Sequence, residues 1–395
     1  MNQATKDFIL QNADADVRQL ALRGAKDPDV DLAFALDQIA GRQKARTKLP
    51  SWAAVDGIVY PPHLSMEQCS SEPTARYKAG IVERLDIGKD YFVDLTGGFG
   101  VDFSFLAENF KNSVYVERQP LLCDIVSDNL HLLGISATVQ NADAVDYLHT
   151  LSHTDLIFLD PARRDEHGAR TYGIADCTPN ILEILSELME KTRWLMLKLS
   201  PMLDWQKTVD DIQQSGCAKV SEVHIVSVDN ECKELLLVVS KEVSQLKVFC
   251  VNNGNVFSYD ATKQTAATPS VEPKLGQYLY EPNASVMKAG CFHLLESHFS
   301  IAQLDPNSHL FTSDEAIPDF PGRQFAIERV SSLNKRDLKT ALQGIDKANI
   351  TVRNFPMSVA ELRKRLKLKD GGEVFIFATT IVNDGHKLLI CRKKA

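Results

Sequence analysis

Between Tyr91 and Ser240 one pattern repeats: a short apolar run, then a stretch with helical spacing. The runs are "YFVDLTG", "SVYVERQ", "ATVQNAD", "LIFLDPA", "WLMLKLS", "EVHIVSV" and "ELLLVVS". Short runs this apolar fit strands covered on both faces, and helices between consecutive strands make a parallel sheet the economical solution. The fold class expected is therefore α/β, a doubly wound, mostly parallel sheet with helices on both faces. At 395 residues and 44% hydrophobic content, the chain can bury a large core, and its length predicts two or three domains.

The flanks follow other rhythms. Residues 1–85 read as a helical region, since "ATKDFILQNADADVRQLALRGA" and "DVDLAFALDQIAGRQKAR" place apolar residues three and four apart. The "YPP" at Tyr60–Pro62 is expected to break this cap. "SSEPTARYKAG" then offers hydroxyls and a proline where a helix starts. Residues 86–242 hold the alternating sheet. Residues 243–322 read as a small α+β module: "LKVFCVNNGNVFSYD" predicts a hairpin closing at Asn-Gly, and "ATKQTAATPSVEP" reads as a loop or linker. Residues 323–395 read as βαβαββ, with Ser358 and Glu361 forming a capping box for the second helix.

Charge divides the chain unevenly. The net charge is −8, but residues 323–395 carry sixteen Lys and Arg against seven Asp and Glu, or +9, leaving −17 on the first 322. That asymmetry points to nucleic-acid contact by the basic part. The eight cysteines are scattered without a CxxC pair or metal-ligand spacing, so buried reduced thiols are expected and no metal site. No window resembles a membrane span, and the N-terminal residues are too polar for a signal peptide. These features predict a cytoplasmic protein.

The functional signal begins in "DLTGGFG", Asp94–Gly100. In open α/β sheets the loop after the first strand is the usual ligand cradle, and Gly97, Gly98 and Gly100 permit positive φ and close approach. The G-G-x-G spacing is not the dinucleotide G-x-G-x-x-G, and no G-K-[ST] follows to make a Walker A loop. Taken alone, the glycines fit a structural turn equally well. Three further acids alter the balance. Glu117 ends "VYVE", where a carboxylate can accept both ribose hydroxyls of a nucleoside. Asp143 in "NADA" falls at the third strand tip, within reach of an adenine amine, and Asp160 with Pro161 ends the fourth run in "LDPARRD". Each acid alone reads as a solvated or helix-capping residue; four strand ends in order read as one site.

These residues resemble the motifs of class I S-adenosylmethionine-dependent methyltransferases, over roughly residues 70–240. The resemblance implies a Rossmann-like methyltransferase sheet. It also implies a cofactor, S-adenosylmethionine, held by Asp94, Thr96, Gly97, Gly98, Phe99 and Gly100 at the methionine part, Glu117 at the ribose, and Asp143 and Ala144 at the adenine. The "SSEPTARYKAG" stretch resembles the segment before the first motif of some RNA methyltransferases, which adds Ser71 as a hydroxyl closing over the cofactor. The basic C-terminal part resembles a THUMP-like domain, preceded by a small ferredoxin-like module.

In the methyltransferases of amino nitrogens, D/N-P-P-Y/F offers the acid or amide side chain and the next carbonyl to the N–H hydrogens. Asp160 and the carbonyl of Pro161 are the corresponding groups here, but Ala162 replaces the second proline and Arg163 the stacking aromatic. Arg163 and Arg164 offer bidentate donation to a phosphate. A cysteine nucleophile has only Cys177 near in sequence. In the C-terminal part, Arg363, Lys364, Arg365 and Lys367 lie beside apolar Val359, Leu362 and Leu366, and with Arg353 they form a candidate phosphate-contacting surface. The expected function is methylation of a base nitrogen of tRNA or rRNA. The rivals are a methyltransferase of a protein or small molecule and a non-catalytic RNA-binding protein. An NAD-dependent enzyme is disfavoured by the glycine spacing.

Overall fold

The computed structural model describes residues 1–163, 173–242, 245–263 and 274–394, and all but the side chain of Arg163 within them. Arg164 and most of the predicted linker, residues 264–273, lie outside the described residues. The chain forms two compact units. The first is Met1–Val223 with Glu234–Leu246, and the second is His224–Lys233 with Lys247–Ala395.

The first unit is built on β1 (Tyr91–Asp94), β2 (Asn112–Glu117), β3 (Thr138–Asn141), β4 (Thr154–Leu159) and β7 (Thr192–Leu199). Between β4 and β7 stands a two-stranded ribbon, β5 (Ala162–Arg163) with β6 (Cys177–Thr178). The main strands lie in the order β7-β4-β1-β2-β3 and all pair in parallel. β9 (Glu231–Ser240) then pairs antiparallel with β7. It follows β8 (Lys219–Val228), its neighbour on the far side. All seven predicted strands are present, and the parallel block is the predicted one. The helices Val101–Ala107, Pro120–Leu132, Ala144–Thr150 and Ile181–Lys191 make the crossovers.

The N-terminal helices give the sheet a wall. The long helix Leu32–Lys48 is capped by Asp31, whose Oδ1 accepts the Phe34 N–H at 3.1 Å. It does not run to the "YPP". It stops at Leu49, because the residue before a proline avoids helical geometry, and Pro50 opens a one-turn helix, Pro50–Ala53. Tyr60–Pro62 lies in extended chain beyond. That chain is held by two buried amides. Gln38 exchanges two 2.8 Å hydrogen bonds with the Tyr60 backbone. Asn129 does the same for Val59, at 2.9 and 2.8 Å. Trp52 and Tyr60 thereby join Phe99 of the glycine loop in one core, with Trp52 edge-on to Phe99 at 5.1 Å.

In the second unit the hairpin forms as predicted: β10 (Lys247–Asn252) and β11 (Asn255–Asp260) close over Asn253 and Gly254, both at positive φ. The remaining strands are β12 (Tyr278–Pro282), β13 (Ala302–Gln303), β14 (Phe311–Ser313), β15 (Gly322–Ser331), β16 (Asn349–Arg353), β17 (Val374–Ile381) and β18 (Gly385–Lys393). They form one sheet in the order β13-β14-β12-β15-β18-β17-β16. Strand alternation splits its two faces. Ile376, Ala378, Leu388 and Ile390 pack under the helices Lys335–Ala341 and Val359–Leu366, while Phe377, Leu389 and Cys391 pack on Leu279, Leu304 and Leu310. The capping box is formed: Ser358 Oγ accepts the Glu361 N–H and the Glu361 carboxylate accepts the Ser358 N–H. All eight cysteines are thiols rather than disulfides, five of them buried. Among the described residues no helix is long and apolar enough to cross a membrane.

Because Trp52 fills the space between the N-terminal wall and the glycine loop, Trp52→Ala is expected to destabilise the first unit by about 3–5 kcal/mol. Urea unfolding followed by circular dichroism measures this; a loss below about 1 kcal/mol would show that Phe99 does not depend on that wall.

Candidate functional site

β1 delivers Asp94 to the carboxyl edge of the sheet, and the chain then turns through six residues before the helix Val101–Ala107. The turn is tied on both sides. The Thr96 N–H donates to Asp94 Oδ1 at 2.9 Å, and Thr96 Oγ1 accepts the Asp160 N–H at 2.6 Å, joining the ends of β1 and β4. The Gly98 N–H donates to Glu117 Oε2 at 3.1 Å, and the Gln119 N–H to Glu117 Oε1 at 2.9 Å, so the turn is also bonded to the end of β2. Tyr115 lies under the turn, its hydroxyl donating to the Gly98 carbonyl.

Sterics explain the glycines. A Cβ on Gly97 would stand 2.0 Å from the Tyr115 ring, so no larger residue fits. Gly98 and Gly100 have φ of +54° and +77°, where L side chains are strained. A Cβ on Gly98 would meet nothing closer than the Thr96 carbonyl at 3.9 Å, so the backbone there borders open space. Phe99 points the other way, into the core with Trp52 and Tyr60.

Beneath the turn lies a charge network that no motif in the sequence announced. Strand register sets Leu159 opposite Leu197, so the next residues, Asp160 and Lys198, meet at the strand ends, with Lys198 Nζ 2.6 Å from Asp160 Oδ2. The same ammonium is 3.2 Å from Asp102 Oδ2 in the helix Val101–Ala107. The fully buried Lys78, from the helix Glu72–Arg84, lies 3.0 Å from Asp102 Oδ1 and pairs with Glu234 of β9. Ser70 closes the ring, its hydroxyl 2.7 Å from Asp102 Oδ2 and 3.0 Å from Glu234 Oε1. The signals that could have pointed to it are single charges inside apolar runs: Lys198 in "LMLKLS" and Glu234 in "KELLLVV".

The network sets the titration of its members. Burial would raise Asp102, but Lys78 and Lys198 hold it down to about 2. Burial pushes Asp160 up, and Lys198 only partly offsets this, with Asp102 and Glu234 adding to the rise. For Lys198, burial opposes the charge but is outweighed by Asp160, Asp102 and Glu234. Asp94 is raised well above the carboxylate range by burial and then by Asp102 and Asp160, against the Thr96 hydrogen bond and Lys198. Asp160 nonetheless keeps 38% of its side chain open to solvent, against 11% for Lys198.

The structure thus brings Asp94, Thr96, Gly97, Gly98, Gly100, Glu117 and Asp160 to one edge, with Pro161 buried just beyond. Asp143 sits at the tip of β3 and caps the helix Ala144–Thr150, its Oδ1 accepting the Val145 N–H at 2.8 Å. Its structural role is therefore present, and the other carboxylate oxygen projects from an exposed residue. Ser71 stands at the cap position of the helix Glu72–Arg84, its hydroxyl 3.3 Å from Thr74 Oγ1. The side chain of Arg163 lies outside the described residues. Cys177 is buried on β6, paired through its backbone with Arg163.

In the second unit Arg323, Arg353, Arg363 and Arg365 have partners. Arg353 donates to Glu281 Oε1 at 3.1 Å, beside Arg323 on the same carboxylate. Arg363 bonds Asp370 at 2.6 Å and the Ala348 carbonyl at 3.1 Å, and Arg365 bonds the Leu333 carbonyl at 2.9 Å. Leu362 and Leu366 are buried as expected, but Val359 is not, because it lies in the first turn of its helix, away from the sheet. Lys364 and Lys367 are exposed and, among the described residues, without an acid partner. So are Lys335, Arg336 and Lys339 of the neighbouring helix on the same sheet face.

Residues 322–393 match the THUMP domain-like family, and residues 278–321 a ferredoxin-like domain. Over the whole chain the fold is similar to a protein of Porphyromonas gingivalis W83 whose crystal structure is named for a methyltransferase, at 32% identity and a TM-score of 0.85, covering 99% of this chain and 98% of that one. Uncharacterized S-adenosylmethionine-dependent methyltransferases from two Mycobacterium tuberculosis strains are 23% identical over 322 residues, 80% of this chain and 83% of theirs.

The raised Asp94 gives a pH signature. A carboxyl that is harder to ionise folded than unfolded costs stability as pH rises from its unfolded value, near 3.9, through its folded one. Asp94→Asn removes that cost, since an amide oxygen can still accept from Thr96. The variant is expected to melt at least about 2 °C above wild type at about pH 8 and to match it below about pH 4. Scanning calorimetry across that range decides, and an advantage independent of pH would remove the buried-charge account.

Proposed function

The chain belongs to the S-adenosylmethionine-dependent methyltransferases that carry a C-terminal THUMP-like domain, and on that premise we propose that it methylates a base nitrogen of tRNA or rRNA in the cytoplasm. S-adenosylmethionine is its cofactor. The observation that carries the proposal is the convergence at one sheet edge of a glycine turn, a ribose-type acid and an acceptor-type acid, joined by the Thr96–Asp160 and Gly98–Glu117 hydrogen bonds.

The residues fit the cofactor. The open backbone at Gly98 suits the methionine part, with Thr96, Gly97 and Gly100 shaping the turn and Asp94 and Phe99 anchoring it. Glu117 has given each oxygen one backbone N–H and keeps lone pairs for ribose hydroxyls. Asp143 and Ala144 border the place for the adenine, and Ser71 is the hydroxyl expected to close over the cofactor. When bound, S-adenosylmethionine supplies a methyl group on a sulfonium, and the protein contributes the alignment of an acceptor with it. Asp160 and the Pro161 carbonyl are the groups that accept the acceptor's N–H and orient its nitrogen.

RNA as the substrate is supported by the THUMP-like match and by the paired basic helices. Their free cations, Lys335, Arg336, Lys339, Lys364 and Lys367, suit phosphate contact. The arginines expected in that role, Arg353, Arg363 and Arg365, have intramolecular partners, so the phosphate surface is assigned to these five residues.

The decisive experiment is transfer of a labelled methyl group to total RNA from cells lacking the gene, with Asp160→Ala as control. Label in one RNA class that the variant fails to produce is expected. Unlabelled RNA with label in protein or small molecules would replace the RNA reading.

Two further outcomes are expected. Glu117→Ala weakens S-adenosylmethionine binding at least about tenfold by calorimetry, the value of a charged hydrogen bond of about 1.5–3 kcal/mol, whereas Asp160→Ala changes it less than about twofold. Replacing Lys335, Lys339, Lys364 and Lys367 together by Glu weakens RNA binding and flattens its dependence on salt. Filter binding from about 50 to about 300 mM salt, over which the screening length falls below about 10 Å, would show unchanged slopes if the RNA surface lay elsewhere.

A further inference from the structure

From the pairing of Lys198 with Asp160 we infer that the acceptor is a lactam ring nitrogen, an N–H flanked by a carbonyl as in guanine N1 or uracil N3, and not an exocyclic amine. The inference rests on the base-nitrogen reading above and specifies it.

Asp160 is the more exposed partner, and one of its oxygens, Oδ2, is taken by Lys198 at 2.6 Å. The other has no partner among the described residues and is left to a substrate N–H. Among the described residues Lys198 is held by Asp102 and Asp160, so two of its three protons are engaged there and one remains. A carboxylate and an ammonium side by side therefore present an acceptor next to a donor. Several base edges match that pattern, including the amino edges of adenine and cytosine. Charge separates them. An exocyclic amine gains positive charge as it attacks, and a fixed ammonium at the adjacent ring nitrogen opposes that. A lactam loses its ring proton and becomes an anion with charge on the carbonyl oxygen, where the same ammonium stabilises it.

The surroundings agree. Burial, with Asp102 and Glu234 nearby, raises the proton affinity of Asp160 against the pull of Lys198, making it a stronger base than an ordinary carboxylate. The stacking aromatic of the amino-nitrogen motif is replaced by Arg163.

The step balances within the site. The ring N–H proton passes to Asp160 Oδ1. The nitrogen forms its bond to the methyl carbon as the sulfur–methyl bond breaks, and sulfur keeps the bonding pair as a neutral thioether. Lys198 stays protonated throughout, and Asp160 afterwards returns its proton to solvent.

The test is nucleoside mass spectrometry of tRNA and rRNA from cells lacking the gene, against cells complemented with the wild-type chain. Loss of 1-methylguanosine or 3-methyluridine at one site, restored by complementation, is the expected result. Loss of an N6-methyladenosine, N2-methylguanosine or N4-methylcytidine would overturn the lactam assignment and leave the RNA reading standing. No change in any methylated nucleoside would overturn both.

Lys198→Met gives an independent reading on the purified protein. Its S-adenosylmethionine affinity should stay within about twofold of wild type by calorimetry, showing an intact fold, while transfer falls about 100-fold at about pH 7, the usual cost of one oxyanion donor. Because the lost ammonium had favoured the lactam anion, transfer by the variant should recover as pH rises to about 9. Lys198→Arg should retain more of the wild-type rate than Lys198→Met. Full activity of Lys198→Met would overturn the role given to the ammonium.

Discussion

The carboxyl edge of the sheet in the first unit depends on keeping buried charges paired. Two ammoniums, Lys78 and Lys198, stand among three carboxylates, Asp102, Asp160 and Glu234. An ion without a partner in such surroundings is strongly disfavoured, and breaking one buried pair typically costs about 3–5 kcal/mol. The helix Glu72–Arg84, the helix Val101–Ala107, the end of β7 and the start of β9's buried stretch are therefore held in one arrangement. The inventory is also unequal, three negative groups against two positive. The excess resides on the member most open to solvent, Asp160.

Above this network the turn is defined by contact distances. Gly97 has no room for a Cβ over Tyr115, and Gly98 offers its N–H to Glu117 from a left-handed conformation. Phe99 supplies the third restraint, buried among residues of the N-terminal helices. The core of those helices is thus the surface against which the glycine turn is braced. Gln38 and Asn129, by satisfying the backbone at Tyr60 and Val59, hold that surface in place.

In the second unit every arginine but Arg336 has an intramolecular partner among the described residues. Guanidinium groups present several donors in a fixed plane and suit internal carboxylates and carbonyls. Arg323 and Arg353 share Glu281, Arg363 spans Asp370 and Ala348, and Arg329 holds the carbonyls of Ala341 and Gln343. Lys335, Lys339, Lys364 and Lys367, with Arg336, remain on the outside of the two helices. The net charge of +9 over residues 323–395 therefore overstates the cations available to a partner and still leaves a coherent set on one face.

The sequence alone determined the seven strands of the alternating segment, the parallel block, the hairpin at Asn253–Gly254, the βαβαββ order of the last part and the four acids at strand ends. These follow from hydrophobic periodicity, from turn chemistry, and from the rule that loops at carboxyl ends hold ligands, all local in the chain. What only the tertiary structure decided is which charges meet. Lys198 and Asp160 are 38 residues apart and become neighbours through the β4–β7 register; Lys78 and Glu234 are 156 apart and meet only once β9 and the helix Glu72–Arg84 are in place. The free cations of the last part likewise became visible only after Arg353, Arg363 and Arg365 had found partners. Ion pairing acts over a few ångströms in space and carries no fixed spacing along the chain, so no pattern in the sequence announces it.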